Sequence, residues 1–247
     1  MKMNIRDIVE RWSALNAEDL LRDIFQQFGI KAAIGTSFQK TGLVTIDIAS
    51  KVSDNFRMFT IDTERLFPET YQYIAQIEEL YSDKLHNNKI EIYKPDPFIV
   101  EEMVKQHGEY LFFDDPIKRE QCCKNRKVLP NNEALKTMDV WITGLRADQS
   151  EYRGKLKNVQ VISADGKQII KVAPLFYWAE ADVEAYIEAR NLPIHPLYAK
   201  GYTTISCIIC TTPVLPDEDE RAGRWRWEKQ LKGLKECGLH YKNGAGI

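Results

Sequence analysis

The sequence predicts an α/β protein with a doubly wound, mostly parallel sheet and a loop-rich C-terminal tail. Short apolar runs rich in β-branched and aromatic residues alternate with amphipathic segments from about residue 30 to residue 143, a pattern typical of βαβ units. Of the 247 residues, 44% are hydrophobic and 28% charged, as expected for a folded domain. We therefore expect one domain over residues 1–215 and a mobile tail over residues 216–247.

The first 28 residues are expected to form a helical cap on this domain. In the first helix, apolar residues recur at helical spacing, at Ile5, Ile8, Val9 and Trp12. Asn16 precedes a second amphipathic segment, and asparagine is a preferred residue at a helix start. Gly29 follows that segment and is expected to end the helix.

Four apolar runs are predicted to be parallel strands, at residues 31–36, 56–61, 90–93 and 140–143. Helices are expected between them, at about residues 43–50, 68–81 and 98–106. Pro68 suits the first position of the second of these helices. Its buried face is predicted to contain Tyr71, Ile74, Ile77 and Leu80.

The pattern changes after Gly144. Residues 159–163 and 168–172 are predicted to form a hairpin, because Asp165-Gly166 between them suits a tight reversing turn. A helix is expected from about residue 180 to residue 190. The remainder is rich in loops.

Composition disfavours several classes of protein. The 34 basic and 36 acidic residues give a formal net charge of −2, whereas a general nucleic-acid binder usually shows a basic excess. The longest apolar runs are far shorter than a membrane span. The N-terminus carries Asp7 and Glu10 and lacks the apolar stretch of a secretory signal. We expect a cytoplasmic protein without nucleic-acid or membrane partners.

The loop after the first strand is a candidate anion site. Thr36, Ser37 and Phe38 precede Gly42 and a helix, so hydroxyl and backbone N–H groups could face a phosphate. An ordinary capped turn explains the same residues, and the loop lacks both the Walker A and GxGxxG patterns. Asp62, at the end of the second strand, is compatible with a simple polar turn.

The five cysteines are the most informative feature of the sequence. Their odd number and the absence of an export signal disfavour a disulfide framework. Cys122 and Cys123 are adjacent, Cys207 and Cys210 form a CxxC pair, and Cys237 stands alone. Thiolates suit zinc or an iron–sulfur cluster. Adjacent cysteines fit the separate irons of a cubane more easily than one tetrahedral ion, but zinc and merely buried or redox-active thiols stay open.

Basic residues accompany these cysteines. Some follow the vicinal pair and others precede Cys237, at Lys124, Arg126, Lys127, Arg221, Arg224, Arg226, Lys229, Lys232 and Lys235. Nearby positive charge raises the reduction potential of a cluster and lowers the pKa of a thiol. A solvated helix face explains the later residues equally well. Cys237 is either a nucleophile or an ordinary surface thiol.

Taken together, these motifs resemble the assimilatory adenylylsulfate and phosphoadenylylsulfate reductases of the iron–sulfur type. The resemblance covers roughly residues 30 to 240, and the combination of CC, CxxC and KECGLH is highly specific. The matching segments are TSF, FTIDTERLFPETY, CCKNRKV, WITGLRADQS, APLFYW, CIICTTPV, RAGRWRWE and KECGLH.

The resemblance implies an adenine nucleotide α-hydrolase-like (PP-loop) fold and a reductase of cysteine biosynthesis. It implies one [4Fe-4S] cluster per chain, bound by Cys122, Cys123, Cys207 and Cys210. It also implies that Cys237 in the tail attacks the sulfonucleotide, releases AMP and becomes an S-sulfonate. A thioredoxin or glutaredoxin thiol then releases sulfite.

Family positions also imply a set of substrate contacts, which are Ser37, Phe38, Asp62, Lys127, Gly144, Arg146, Arg221, Arg224 and His240. Ser206 stands where the family usually has glycine, and Ile209 where it usually has proline. The preference between adenylylsulfate and its 3′-phosphorylated form stays open, and a homo-oligomer is compatible with the family. Two competing hypotheses are an ATP-using PP-loop enzyme, such as a tRNA thiolase, and a non-catalytic zinc-stabilised binding protein.

Overall fold

A six-stranded sheet forms the centre of the computed structural model, which describes residues 4–228. The strand order is β3-β2-β1-β4-β6-β5, and every neighbouring pair is parallel except the antiparallel β5–β6 hairpin. The strands are β1 (Ala32–Gly35), β2 (Arg57–Ile61), β3 (Glu91–Tyr93), β4 (Val140–Thr143), β5 (Val159–Ala164) and β6 (Lys167–Val172). The predicted mostly parallel sheet and the terminal hairpin are confirmed.

Helices connect these strands and flank the sheet. They are α1 (Ile5–Ser13), α2 (Ala17–Phe28), α3 (Lys40–Val52), α4 (Pro68–Tyr81), α5 (Pro97–His107), α6 (Pro116–Cys123), α7 (Leu129–Lys136), α8 (Glu151–Gly154) and α9 (Glu180–Arg190). Local signals fix several helix starts. The side chain of Asn16 accepts a hydrogen bond from the Asp19 N–H at 2.9 Å, and Pro68 opens α4, as predicted.

The alternation of side chains along each strand separates two apolar layers. The register pairs Ile34 of β1 with Met58 and Ile142, and all three belong to the larger core, together with apolar residues of α1 to α4 and α9. Ala33 and Trp141 point to the opposite face, where they pack with residues of α7. The sheet is therefore covered on both sides, as a doubly wound fold requires.

The predicted buried face of α4 is only partly correct. Ile74 and Ile77 are buried, but Tyr71 and Leu80 are 42% and 49% exposed. Tyr71 and Leu80 are nine positions apart, which corresponds to two and a half turns of an α-helix, so they lie on opposite sides. Tyr73 and Tyr81 complete the buried face instead.

Residues 108–139 carry helices that the sequence pattern did not predict. Helix α6 leads through a π-helical turn, Lys124–Val128, into α7. The two buried residues of α6 are Arg119 and Cys122, so its inward face lacks the apolar periodicity on which sequence prediction depends.

In residues 4–228, no helix combines the length and apolar character needed to cross a membrane. The predicted boundary at residue 215 stays a prediction, because residues 229–247 lie outside the described range.

Candidate active site

A cavity of about 150 Å³ opens at the carboxyl ends of β1, β2 and β4. In the sheet, β1 lies between β2, the next strand in the chain, and β4, so the strand order reverses at β1. Parallel α/β sheets bind ligands at such a topological switch point. The loop predicted to be an anion site, residues 36–42, therefore lines a cavity in the structure.

Close backbone packing shapes the first loop of this cavity. The Thr36 hydroxyl accepts a hydrogen bond from the Phe38 N–H at 2.9 Å, and Phe38 has a φ of 58°. A Cβ atom on Gly42 would lie 2.5 Å from Thr36 Oγ1, and one on Gly144 would lie 2.9 Å from the Gly42 backbone nitrogen. Glycine at these positions lets the start of α3 and the loop after β4 approach each other.

Cations and hydroxyl groups line the cavity. Six of the predicted contacts do so, namely Ser37, Phe38, Lys127, Gly144, Arg221 and Arg224. Thr60, Gln149 and Arg153 also line it, and none of the three was among the predicted contacts. Arg153 lies three residues after the WITGLRADQS segment, which was the signal available for finding it. Arginine and backbone N–H groups are suited to a phosphate or sulfate group.

Arg146 lies beside this cavity, but it is not among the lining residues. Its side chain is 2% exposed and donates to Asp148 Oδ1 at 2.9 Å and to Thr41 Oγ1 at 2.7 Å. It is also ion-paired with Glu180. These acidic partners raise the pKa of Arg146 against the opposing effect of burial, which is the largest single influence. In this arrangement Arg146 braces the loop after β4 against α3 and α9.

Asp62 also lies outside the lining of the cavity. It accepts hydrogen bonds from the Tyr71 hydroxyl and the Glu64 N–H, both at 2.8 Å. Burial and the Asp62 hydrogen bond together raise the pKa of Tyr71 to about 12. The substrate contacts assigned to Asp62 and Arg146 stay predictions.

The four paired cysteines line a second, smaller cavity. They come from two distant parts of the chain. Cys122 and Cys123 end α6, whereas Cys207 precedes the 3₁₀ turn Ile208–Cys210 and Cys210 ends it. All four are free thiols, two buried and two half-buried. Thr63 Oγ1 lies 3.1 Å from Cys207 Sγ.

The donor set of this cavity fits a thiolate-bound metal centre, although no ready-made group of three metal-binding side chains is found within residues 4–228. Burial raises the pKa of the Cys122 and Cys210 thiols, and a bound metal would replace the retained protons. Of the residues described as lining the cavity, none is a carboxylate. Five are cations, namely Arg65, Arg119, Arg126, Lys127 and Arg224. Three of them are ion-paired with carboxylates outside the lining, Arg65 with Glu109, Arg119 with Glu228 and Arg126 with Glu64. The other two, Lys127 and Arg224, give the lining a positive charge that suits an anionic thiolate cluster.

The two cavities adjoin each other. Thr63, Lys127, Ser206 and Arg224 line both of them. A ligand in the larger cavity and a metal centre held by the cysteines would therefore share the same two cations. Cys237 and His240, the remaining predicted site residues, lie outside the described residues.

Comparisons with known proteins show which family the chain belongs to. The family profile described as "Phosphoadenosine phosphosulfate reductase domain" matches residues 31–213. The adenosine 5'-phosphosulfate reductase of Pseudomonas aeruginosa (strain LESB58) is 38% identical over 232 residues, which cover 92% of this chain and 82% of that protein. The enzyme of the same name from Lysinibacillus sphaericus (strain C3-41) is also 38% identical, over 91% of this chain and 90% of that one.

Solved structures of similar proteins support the α/β fold. The phosphoadenylyl-sulfate (PAPS) reductase from Candida auris, in a phosphate complex, superimposes with a TM-score of 0.68 at 29% identity. The alignment covers 86% of this chain and 99% of that chain. The FMN adenylyltransferase of Candida glabrata, in complex with FAD and inorganic pyrophosphate, reaches a TM-score of 0.53 at 14% identity, with 84% of this chain and 72% of that chain covered. This second similarity concerns the fold alone.

Proposed function

Because the chain belongs to the phosphoadenosine phosphosulfate reductase family, we propose that it reduces adenosine 5'-phosphosulfate (adenylylsulfate) to sulfite and AMP. This is an oxidoreductase activity on a sulfur group, and it belongs to sulfate assimilation. The observation that carries the proposal is the pair of adjoining cavities, one rich in cations at the carboxyl edge of the sheet and one lined by four cysteines.

The larger cavity has the chemistry needed for the phosphosulfate group. Lys127, Arg153, Arg221 and Arg224 supply fixed positive charge there. Negative charge grows on the phosphate as AMP leaves, and preorganised cations stabilise such a transition state. The Thr36–Phe38 loop would contribute backbone N–H groups to the same anion.

The nucleophile in this proposal is the thiolate of Cys237. It attacks the sulfur atom of adenylylsulfate, a sulfur–sulfur bond forms, and the bond from that sulfur to the phosphate oxygen breaks. AMP leaves with the electron pair, and Cys237 becomes an S-sulfonate. A thiolate of thioredoxin or glutaredoxin then attacks Cys237 Sγ and expels sulfite, and the second thiol of that protein resolves the mixed disulfide.

We further propose that Cys122, Cys123, Cys207 and Cys210 hold a [4Fe-4S] cluster. When bound, it would cross-link two distant parts of the chain and provide a compact charged group beside Lys127 and Arg224. The thiol chemistry above runs through Cys237 and the protein reductant.

The first experiment combines metal analysis with product detection. We expect anaerobically purified protein to be brown, with about four irons per chain, and to release sulfite from adenylylsulfate with thioredoxin. The 3′-phosphorylated nucleotide is assayed in parallel, because the Candida auris relative is a PAPS reductase. Faster turnover of that nucleotide would change the assigned substrate.

Two results would contradict the proposal. Colourless protein that carries zinc and releases no sulfite would favour a zinc-stabilised binding protein. ATP turnover without sulfite release would favour an ATP-using enzyme of the same fold.

A further inference from the structure

A buried ion pair joins helix α6 to Glu228, the last described residue. Arg119 Nε donates to Glu228 Oε1 at 2.6 Å, and the two side chains are only 5% and 7% exposed. The other carboxylate oxygen, Oε2, is buried without a hydrogen-bond partner among residues 4–228. Arg119 and Glu228 are 109 positions apart in the sequence, so the pair fixes where two distant segments meet.

Trp225 connects this pair to both cavities. Its ring centroid lies 4.1 Å from Arg119 Cζ and 4.8 Å from Arg224 Cζ, so two guanidinium groups contact one fully buried indole ring. The backbone N–H of Trp225 donates to the Cys210 carbonyl at 3.2 Å. Trp225 has a φ of 44°, a conformation that a bulky side chain adopts only when its surroundings hold it there.

The ion pair between Arg119 and Glu228 lies next to the residues of the proposed site. Arg119 lies one helical turn before Cys122, and both line the cysteine cavity. Arg224 lines that cavity and the larger one. Glu228 precedes Cys237 by nine residues, a length that reaches at most about 30 Å when fully extended. The position of Glu228 therefore limits where the Cys237 thiol can go.

We propose that Arg119 is a positioning residue: through Glu228 and Trp225 it anchors residues 224–228 on the cysteine cavity. The anchor directs Arg224 into the larger cavity and gives the segment that carries Cys237 a fixed starting point. This inference rests on the proposed function for its catalytic consequence. The anchor itself is a property of the fold and can be measured separately.

Two substitutions separate the parts of the anchor. E228A removes the buried acceptor and leaves the Arg119 guanidinium with only the exposed carboxylate of Glu120, at 3.6 Å. E228Q keeps an oxygen acceptor in a side chain of the same shape. R119K keeps the positive charge but loses the planar group that stacks on Trp225. E218Q is the matched control, because Glu218 pairs with Arg226 of the same segment at a partly exposed site, where an ion pair has less effect than a buried one.

The first measurement is amide hydrogen exchange of the peptide containing residues 222–228 in the purified, iron-loaded protein. The backbone N–H of Glu228 donates to the Trp225 carbonyl within this segment, and the backbone N–H of Trp225 donates to the Cys210 carbonyl outside it. We expect E228A and R119K to exchange at least tenfold faster there, and E228Q and E218Q to stay within threefold of the unmodified chain. If E228A fails to fold, the comparison of R119K with E228Q decides the same question.

The second measurement is single-turnover formation of the Cys237 S-sulfonate from adenylylsulfate, detected by mass and normalised to iron content. We expect a decrease of at least tenfold in E228A and R119K, with most of the rate retained in E228Q. The proposal would be overturned if amide exchange and the rate of S-sulfonation in E228A and R119K both stayed within twofold of the unmodified chain. It would also be overturned if these variants were less stable but formed the S-sulfonate at an unchanged rate per iron-loaded chain. If the unmodified chain forms no S-sulfonate at all, the proposed function fails, while the exchange data still test the anchor.

Discussion

Lys127 Nζ lies 3.5 Å from Ser206 Oγ, and both residues line the two adjoining cavities. Lys127 follows the vicinal cysteines by four residues, and Ser206 immediately precedes Cys207. The contact thus joins the two cysteine-bearing segments on the side that faces the larger cavity. It places a lysine ammonium group between the proposed cluster and the proposed substrate.

Replacing Lys127 with methionine is expected to lower the rate of sulfite formation by about 100-fold, because loss of one preorganised electrostatic contact has an effect of that size. Iron content should not change, since no ligand is removed. Steady-state kinetics with adenylylsulfate and an iron assay test this. The control is Lys118→Met in α6, which removes an exposed lysine paired with Asp114. Equal activity in the two variants would exclude a role for Lys127.

Replacing Cys237 with serine is expected to abolish sulfite formation, because a serine hydroxyl is not ionised at neutral pH and cannot form the S-sulfonate. The visible spectrum and iron content should be those of the unmodified chain. Mass spectrometry after incubation with adenylylsulfate should show an added sulfonate on the unmodified protein only. Sulfite release by the serine variant would disprove the assignment of the nucleophile.

Replacing Cys207 with serine is expected to remove colour and iron from the protein, because a thiolate ligand is lost. Lower stability is also expected, because the substitution removes the sulfur atom that lies 3.1 Å from Thr63 Oγ1 and the cluster that would cross-link the two cysteine-bearing segments. Iron analysis and thermal unfolding test both effects, with Cys237→Ser as the thiol-removing control. A fully coloured and active variant would refute the ligand role.

The stability of the folded chain is expected to depend on pH through His195. The imidazole is 1% exposed; its Nδ1 accepts from the Leu197 N–H at 3.2 Å, and Nε2 lies 3.0 Å from Thr70 Oγ1. Burial lowers the pKa of His195 to about 4. As the pH falls from 6.5 to 4, the unfolded chain therefore binds a proton that the folded chain does not, and stability falls by roughly 3 kcal/mol.

The substitution His195→Asn tests this dependence, because asparagine can still accept from the Leu197 N–H but does not titrate. We expect the variant to have a lower free energy of unfolding than the unmodified chain at pH 7. The difference between the two free energies should be smaller at pH 4.5. Urea unfolding of both proteins from pH 7 to pH 4.5 measures this difference. Protonation of the other groups affects both proteins equally and therefore cancels. A constant difference would contradict the assigned protonation state.

Local patterns predicted most of the fold. Each predicted strand and helix exists within a few residues of its expected bounds, because hydrophobic periodicity, Pro68, Asn16 and Asp165-Gly166 act over a single turn or element. Helices α6 and α7 and the short helix α8 were missed. The inward face of α6 consists of Arg119 and Cys122, and that of α7 includes Asn131, so neither shows a clear apolar periodicity. The face of α4 was partly wrong because a strict three-residue spacing drifts around a helix.

The sequence by itself determined the cysteine pairs, the first loop and the family resemblance, since these depend on residue type and spacing. Only the tertiary structure decided which charged side chains meet. It places Arg153 in the larger cavity, holds Arg146 among acidic partners, and brings Arg119 to Glu228. The energy of such contacts depends on burial and on the exact approach of groups far apart in the chain, and neither is encoded in local periodicity.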